Sequence, residues 1–290
     1  DFSEEYFSGK TPNPCIRCNS LVKWDALINQ LNIFDADMIA TGHYARIKFD
    51  NNDFSLCKGL DTSKDQSYFL YQLNSVLLEN IEFPLGDLLK SEVRKIAEDY
   101  KLINAQKKDS TGICFIGDRK YNEFVGKYLK SKKGIILSID GEKLGTHTGH
   151  MYFTVGQRKG LGIGARNSAF DQPWYVIKKD INRNIVYVGQ GAEHPALFSD
   201  ELLADNMFWG INIEKNIPLE CNAKVRYRDE DNKCKILSLN DGKCYVKFEN
   251  KIKAITAGQS IVFYDSNGVC IGGGIIRKRN IPFLGEEINE

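Results

Sequence analysis

A chain of 290 residues exceeds what one hydrophobic core normally fills, so about two domains are expected, and 42% hydrophobic with 27% charged residues is a globular rather than a disordered composition. Lys and Arg (39) nearly balance Asp and Glu (38), which excludes whole-surface attraction for nucleic acid and leaves that work to local basic patches. No apolar run is long enough to span a membrane, and eight cysteines spread this thinly exclude the dense disulfide framework of a small secreted scaffold, pointing to a reducing cytoplasm.

In chain order, DFSEEYFSGK is acidic and lacks the basic and apolar regions of a secretory signal; it also lacks Met, as in a chain that starts inside a longer protein. TPNPCIRCNS (Thr11 to Ser20) then sets Cys15 and Cys18 three apart behind two prolines. Asn19 and Ser20 are suitable N-caps, and Leu21, Trp24, Leu27, Ile28 and Leu31 recur at helical spacing, which predicts an amphipathic helix starting there. Met38 to Ala40 reads as a short buried strand ending in a tight turn at Thr41, Gly42 and His43. Ser91 is placed to cap a second helix carrying Val93, Ile96, Ala97 and Tyr100, and Tyr121, Phe124, Val125 and Tyr128 mark a third. This is α/β patterning, with ligands expected beyond the strand ends.

From about Lys133 the pattern changes to strands and turns. Ile135 to Ile139 precedes Asp140-Gly141, Trp174 to Ile177 and Ile185 to Val188 flank a polar turn, and Lys243 to Phe248 follows Asp241-Gly242. Ile261 to Tyr264 and Val269 to Ile276 flank Ser266-Asn267-Gly268. The basic, glycine-rich GQRKGLGIG (Gly156 to Gly164) lies between hairpins, and a break near Ala192 to Asp200 precedes a final all-β module. In that module Ala223 to Arg228 alternates, predicting a strand with Lys224, Arg226 and Arg228 on one face.

The Cys15–Cys18 pair fits several chemistries: a disulfide, half a zinc site, a redox couple, a nucleophile, or simply buried thiols. Zinc needs a second such pair or paired histidines of the H-x-x-x-H type, which the sequence lacks. Cys18, read as standing just ahead of a capped helix, would have its thiolate favoured by the positive end of the macrodipole. Cys114, in DSTGICFIG, is flanked by Gly112 and Gly117, which suits close approach of a substrate and equally a core position.

Taken together, TPNPCIRCNSLVKW, ATGHYAR (Ala40 to Arg46), KDQSYFLY (Lys64 to Tyr71), GICFIG (Gly112 to Gly117) and FTVGQRKGLGIG (Phe153 to Gly164), in that order, resemble the bacterial and organellar tRNA-specific 2-thiouridylases. The resemblance runs from about Thr11 to the C-terminus. It implies an α/β, doubly wound PP-loop ATP pyrophosphatase domain, of which residues 1–130 are the remainder, then a central β-rich linking domain (131–200) and a C-terminal β-barrel that binds tRNA (201–290).

The chemistry it implies is replacement of the 2-carbonyl oxygen of a wobble uridine by sulfur. ATP, accompanied by Mg²⁺, adenylates the oxygen, and the sulfur comes as a cysteine persulfide from a sulfur-carrier protein. By motif position Cys114 takes the persulfide and Cys18 is the nucleophile that liberates its sulfur, through a transient Cys18–Cys114 disulfide. Gly42 is implied at ATP. Asn13, Pro14 and Cys15 face the target base with His43 nearby; the family carries Cys or Asp at position 15. Lys64, Asp65, Gln66, Arg226, Tyr227 and Gln259 are implied tRNA contacts. No protein-bound metal and no membrane are expected, and the compartment is a bacterial cytoplasm or an organelle. The family's Ser-Gly-Gly-x-Asp-Ser phosphate cradle precedes TPNPC and occurs nowhere in this sequence, so the chain alone is expected not to thiolate tRNA. The competing expectation is a non-catalytic RNA-binding module with structural cysteines.

Overall fold

The computed structural model describes residues 2–50, 52–107, 114, 116–117, 124, 126, 128, 131–163, 172–211, 213 and 216–288. After α1 (Phe2–Phe7), Asn13 starts the next helix: its side chain accepts the Cys15 N–H at 3.1 Å, and Pro14 occupies the first helical position, where a missing N–H costs nothing. α2 (Pro14–Cys18) continues through a π-helical turn, Asn19–Lys23, into α3 (Trp24–Ile28), the Trp24 N–H bonding the Asn19 carbonyl five residues back. The helix therefore begins at Asn13, ahead of the expected caps Asn19 and Ser20. Cys18 lies within it, so Asn13 and not Cys18 occupies the positive end of the dipole. Trp24 is fully buried, whereas Leu21 and Leu27 of the predicted apolar face are exposed.

β1 (Ile39–Ala40) pairs in parallel with β4 (Ile81–Glu82), and β2 (Ala45–Asp50) forms a hairpin with β3 (Asp53–Lys58). Asn74 caps α4 (Ser75–Leu78), accepting the Leu77 N–H at 2.9 Å. α5 (Lys90–Asp99) is capped at Leu89, whose N–H is taken by Glu92 at 2.7 Å; Ser91 falls inside its first turn. Of the third predicted helix, Phe124 is helical and its ring lies 5.2 Å from that of Tyr128, while Tyr121 and Val125 lie outside the described residues.

The predicted hairpins form. β5 (Gly134–Ser138), β6 (Lys143–His147), β7 (Trp174–Asp180) and β8 (Ile185–Gln190) make a sheet of order β6-β5-β8-β7 over a core that includes Ile136, Val176, Val186 and Val188. β9 (Phe198–Trp209), β10 (Leu219–Lys224), β11 (Asn232–Asn240), β12 (Lys243–Lys253), β13 (Ser260–Tyr264) and β14 (Cys270–Arg279) close into an antiparallel barrel, ordered β10-β11-β12-β9-β14-β13. Asp241 and Gly242, both at positive φ, supply the two-residue turn joining β11 to β12. The half-buried Arg279 ties sheet to barrel, its guanidinium bonding Ser199 Oγ at 2.7 Å and the Ile177 and Ala196 carbonyls at 3.0 and 3.1 Å.

The α/β part and the barrel share one core, in which Ile16, Trp24, Tyr68, Leu70, Tyr71 and Phe83 pack with Val262, Tyr264 and Cys270. The strand expected over Ala223 to Arg228 ends at Lys224, and the next residues bend and turn. The three cations consequently do not share a strand face. Lys224 is buried, its Nζ 3.6 Å from Asp65, while Arg226 and Arg228 are exposed on the turn. A cation on a strand pointing into a second packed unit finds a carboxylate instead of water, which alternation within the strand cannot reveal. Among the described residues no helix is long and apolar enough to cross a membrane.

Candidate active site

The segment carrying Cys15 is clamped to the barrel before its helix begins. Thr11 N–H bonds the Ala257 carbonyl at 2.9 Å, and Gln259 donates to the Thr11 carbonyl at 2.6 Å. Gly258, at φ +91°, lets the two backbones approach: a Cβ there would stand 2.8 Å from Lys10 Cβ and the Thr11 nitrogen. Asn13 then turns the chain into the helix, fixing the half-buried Cys15 and Cys18 on it.

Cys114 is exposed, with the rest of GICFIG except Ile116 and Gly117 outside the described residues. Distant in sequence, it nevertheless acts on Cys15. Burial pushes the Cys15 thiol up first, the neighbouring Cys114 adds to this, Lys23 opposes it, and Cys18 adds a smaller push. Three thiols and an ammonium thus share one neighbourhood. Lys23, the last residue of the π turn, was not among the sequence candidates.

His43 follows β1 and the exposed Gly42. Its Nδ1 and the Thr41 hydroxyl are 2.9 Å apart, and its ring lies 5.9 Å from Trp24 and 6.1 Å from Phe83. Burial, with Lys23 assisting, lowers its pKa to about 4, so the imidazole is neutral at pH 7. Thr41, Trp24 and Lys23 thus surround His43; all three lie within the quoted motifs, which gave them no role. Asn19 Oδ1, Trp24 Nε1 and Tyr44 Oη are buried here without a hydrogen-bond partner among the described residues, a costly state that buried polar groups normally avoid.

Of the expected tRNA contacts, Lys64 is half-buried and Asp65 is buried. Asp65 accepts the Gly59 and Ser67 N–H groups, both at 3.1 Å, and the Ser67 hydroxyl at 3.0 Å, besides facing Lys224. Gln66 accepts the Tyr44 N–H at 3.0 Å and so holds the loop against the residue that follows His43. Tyr227 packs against Phe69, the rings tilted by 39° with centroids 4.2 Å apart, joining the turn that carries Arg226 to the KDQSYF segment. Arg226 is half-exposed, 3.8 Å from Asp229. A cavity of about 720 Å³ opens beside Thr11, lined by Tyr6, Thr148, Met151, Thr154 and Gln157 but by none of the three cysteines.

Comparison with known proteins agrees with this layout. Residues 1–118 match the family described as tRNA methyl transferase HUP domain, 122–190 that described as tRNA methyl transferase PRC-barrel domain, and 199–276 that described as aminomethyltransferase beta-barrel domain. Three such parts in this order define a tRNA-modifying class. The tRNA-specific 2-thiouridylase MnmA 1 of Geobacillus kaustophilus is 49% identical over 275 residues, covering 95% of this chain and 74% of its own length. The tRNA-specific 2-thiouridylases MnmA of Stutzerimonas stutzeri (48% over 284 residues, 98% of this chain and 75% of its own) and Salmonella typhimurium (49% over 279, 96% and 76%) are equally similar. The chain belongs to the tRNA-specific 2-thiouridylase family.

Proposed function

We propose that this chain takes part in ATP-dependent 2-thiolation of the wobble uridine of tRNA, with Cys114 as persulfide carrier and Cys18 as the thiol that releases its sulfur. The observation that carries the reading is the common neighbourhood of Cys15, Cys18 and Cys114, drawn from separate segments. In the relay, the Cys18 thiolate attacks the inner sulfur of the Cys114 persulfide, the S–S bond between them forms, and hydrosulfide leaves. Hydrosulfide attacks C2 of the adenylated uridine, and the C2–O bond breaks with departure of AMP. The Cys18–Cys114 disulfide returns to two thiols by exchange with an external dithiol, which takes up the oxidation.

Gly42, exposed past the carboxyl end of β1, is where an α/β sheet presents backbone to a nucleotide, and ATP with its Mg²⁺ supplies the activation of the oxygen. His43, neutral and fixed through Thr41, hydrogen-bonds the flipped base without a charge. Asn13, Pro14 and Cys15 line the same helix start. Lys64, Gln66, Arg226 and Tyr227 meet the tRNA, whereas Asp65 and Gln259 act on it through the loop and the clamp they hold in position. The sulfur comes from a persulfide-bearing carrier protein. A purely RNA-binding module would leave the gathered thiols without a role.

The test is 2-thiouridine content in tRNA from cells carrying each variant in a chain extended upstream with the family's Ser-Gly-Gly-x-Asp-Ser cradle. Cys18→Ser and Cys114→Ser each abolish it, and Cys15→Asp keeps much of it; an equal loss in Cys15→Asp would overturn the assigned relay.

A further inference from the structure

A second group of thiols lies in the barrel, remote in sequence from the first. Cys221 on β10 and Cys234 on β11 are direct cross-strand partners in the antiparallel register, and their sulfurs are 3.7 Å apart. Thiols at such a separation are within reach of a disulfide, whose Cβ atoms stand about 3.8 Å apart and whose sulfurs close to about 2.05 Å. Cys244 on β12 is near, but its register partners are Leu239 and Ala204, not a cysteine. Among the described residues no group of three metal-capable side chains converges, so the trio does not make a metal site.

The two sulfurs differ in access. Cys234 is buried and Cys221 half-buried, and both line a cavity of about 900 Å³ on the barrel wall. The lysines around it, Lys233, Lys235 and Lys247, are each paired with a glutamate, so the cavity offers room rather than net charge. The hydrogen bond to Cys221, followed by burial, pushes the Cys234 thiol up and keeps it protonated.

We propose that Cys221 and Cys234 form a redox modification site, closing to a cross-strand disulfide by exchange with a low-molecular-weight disulfide such as oxidised glutathione. The Cys221 thiolate attacks one sulfur of the small disulfide, a mixed disulfide forms, and the first small thiolate leaves. Cys234 then attacks the Cys221 sulfur, its proton passing to the second departing thiolate. Two protein thiols are oxidised and one small disulfide is reduced to two thiols, so atoms and electrons balance. The closed ring encloses the turn bearing Arg226 and Tyr227 and cross-links β10 to β11 in their existing register.

The experiment treats the folded chain with oxidised glutathione, alkylates the remaining thiols, and maps the digest by mass spectrometry. Expected is a peptide pair joined through Cys221 and Cys234, lighter by two hydrogens and restored by dithiothreitol, with a Tm several degrees above that of the reduced protein. In Cys234→Ser, Cys221 should instead retain a glutathione adduct, and in Cys221→Ser, Cys234 should stay unmodified. Full alkylation of both cysteines after oxidation, a persistent adduct on wild-type Cys221, or a Cys234–Cys244 link would each overturn the proposal. Equal reaction of Cys234 in Cys221→Ser would overturn entry through Cys221. The wild-type arm decides whether or not the variants fold.

Discussion

Replacing Asp65 by Ala should destabilise the junction between the α/β part and the barrel far more than loss of a surface ion pair would. The Asp65 side chain is 1% exposed and that of its partner Lys224 is 10% exposed. Removing one member of a buried pair leaves the other charge uncompensated and commonly costs about 3–5 kcal/mol, against about 0–1 kcal/mol for an exposed pair. The Gly59 and Ser67 amides also lose their acceptor, and the Ser67 hydroxyl, 3.0 Å from Tyr264 Oη, loses one of two partners. These losses overlap, so the figure to test is the 3–5 kcal/mol range itself. For a chain of this size that is a fall in Tm on the order of 10 °C, at about 2–4 °C per kcal/mol. The assay is thermal and urea unfolding followed by tyrosine fluorescence and circular dichroism. Asp65→Asn keeps an oxygen for the two amides but strips the charge, and adding Lys224→Met should recover part of the loss, with a coupling of roughly 1–3 kcal/mol. A loss below about 1 kcal/mol in Asp65→Ala, or no recovery in the double variant, would refute the account of Asp65 as a buried positioning group.

Two further outcomes follow from the site. His43 titrates near 6.5 when unfolded but at about 4 in the folded chain; between those values only the unfolded chain binds the proton, so its contribution is full above pH 6.5 and is lost as pH falls toward 4. The slope is at most about 1.4 kcal/mol per pH unit, and His43→Gln should flatten it in urea titrations at several pH values; an unchanged profile would show that His43 is not held neutral. Arg226→Ala should weaken tRNA binding and reduce its salt dependence by about one unit of slope while leaving ATP binding unchanged, and a superimposable binding-versus-salt plot would leave Arg226 as a solvated partner of Asp229 only.

Local signals were legible where a few adjacent residues settle the geometry. Asp241-Gly242 marks a turn because both residues must take positive φ. Met38 to Ala40 marks a strand, which forms at Ile39–Ala40, but not the buried one expected: Met38 and Ala40 are exposed and Ile39 only half-buried, because an apolar run does not say what covers it. The five ordered motifs carried the family, because they form segments long enough to match, and the pairing of Cys18 with Cys114 is what we propose from that membership. The helix start was also written locally: Asn13 accepts the Cys15 N–H and Pro14 fits the first helical position, which places the start ahead of Asn19 and Ser20. Other properties needed the packed chain. Nothing in Ala223 to Arg228 says that Lys224 turns inward, because its carboxylate lies in another segment and the strand stops there. The core joining Trp24 and Tyr68 to Val262 and Tyr264, the approach of Cys114 to Cys15, and the facing of Cys221 and Cys234 depend likewise on which distant surfaces meet. Periodicity reports which side of an element is apolar; burial, charge compensation and thiol proximity are set by the partner that covers that side, and only tertiary structure supplies the partner.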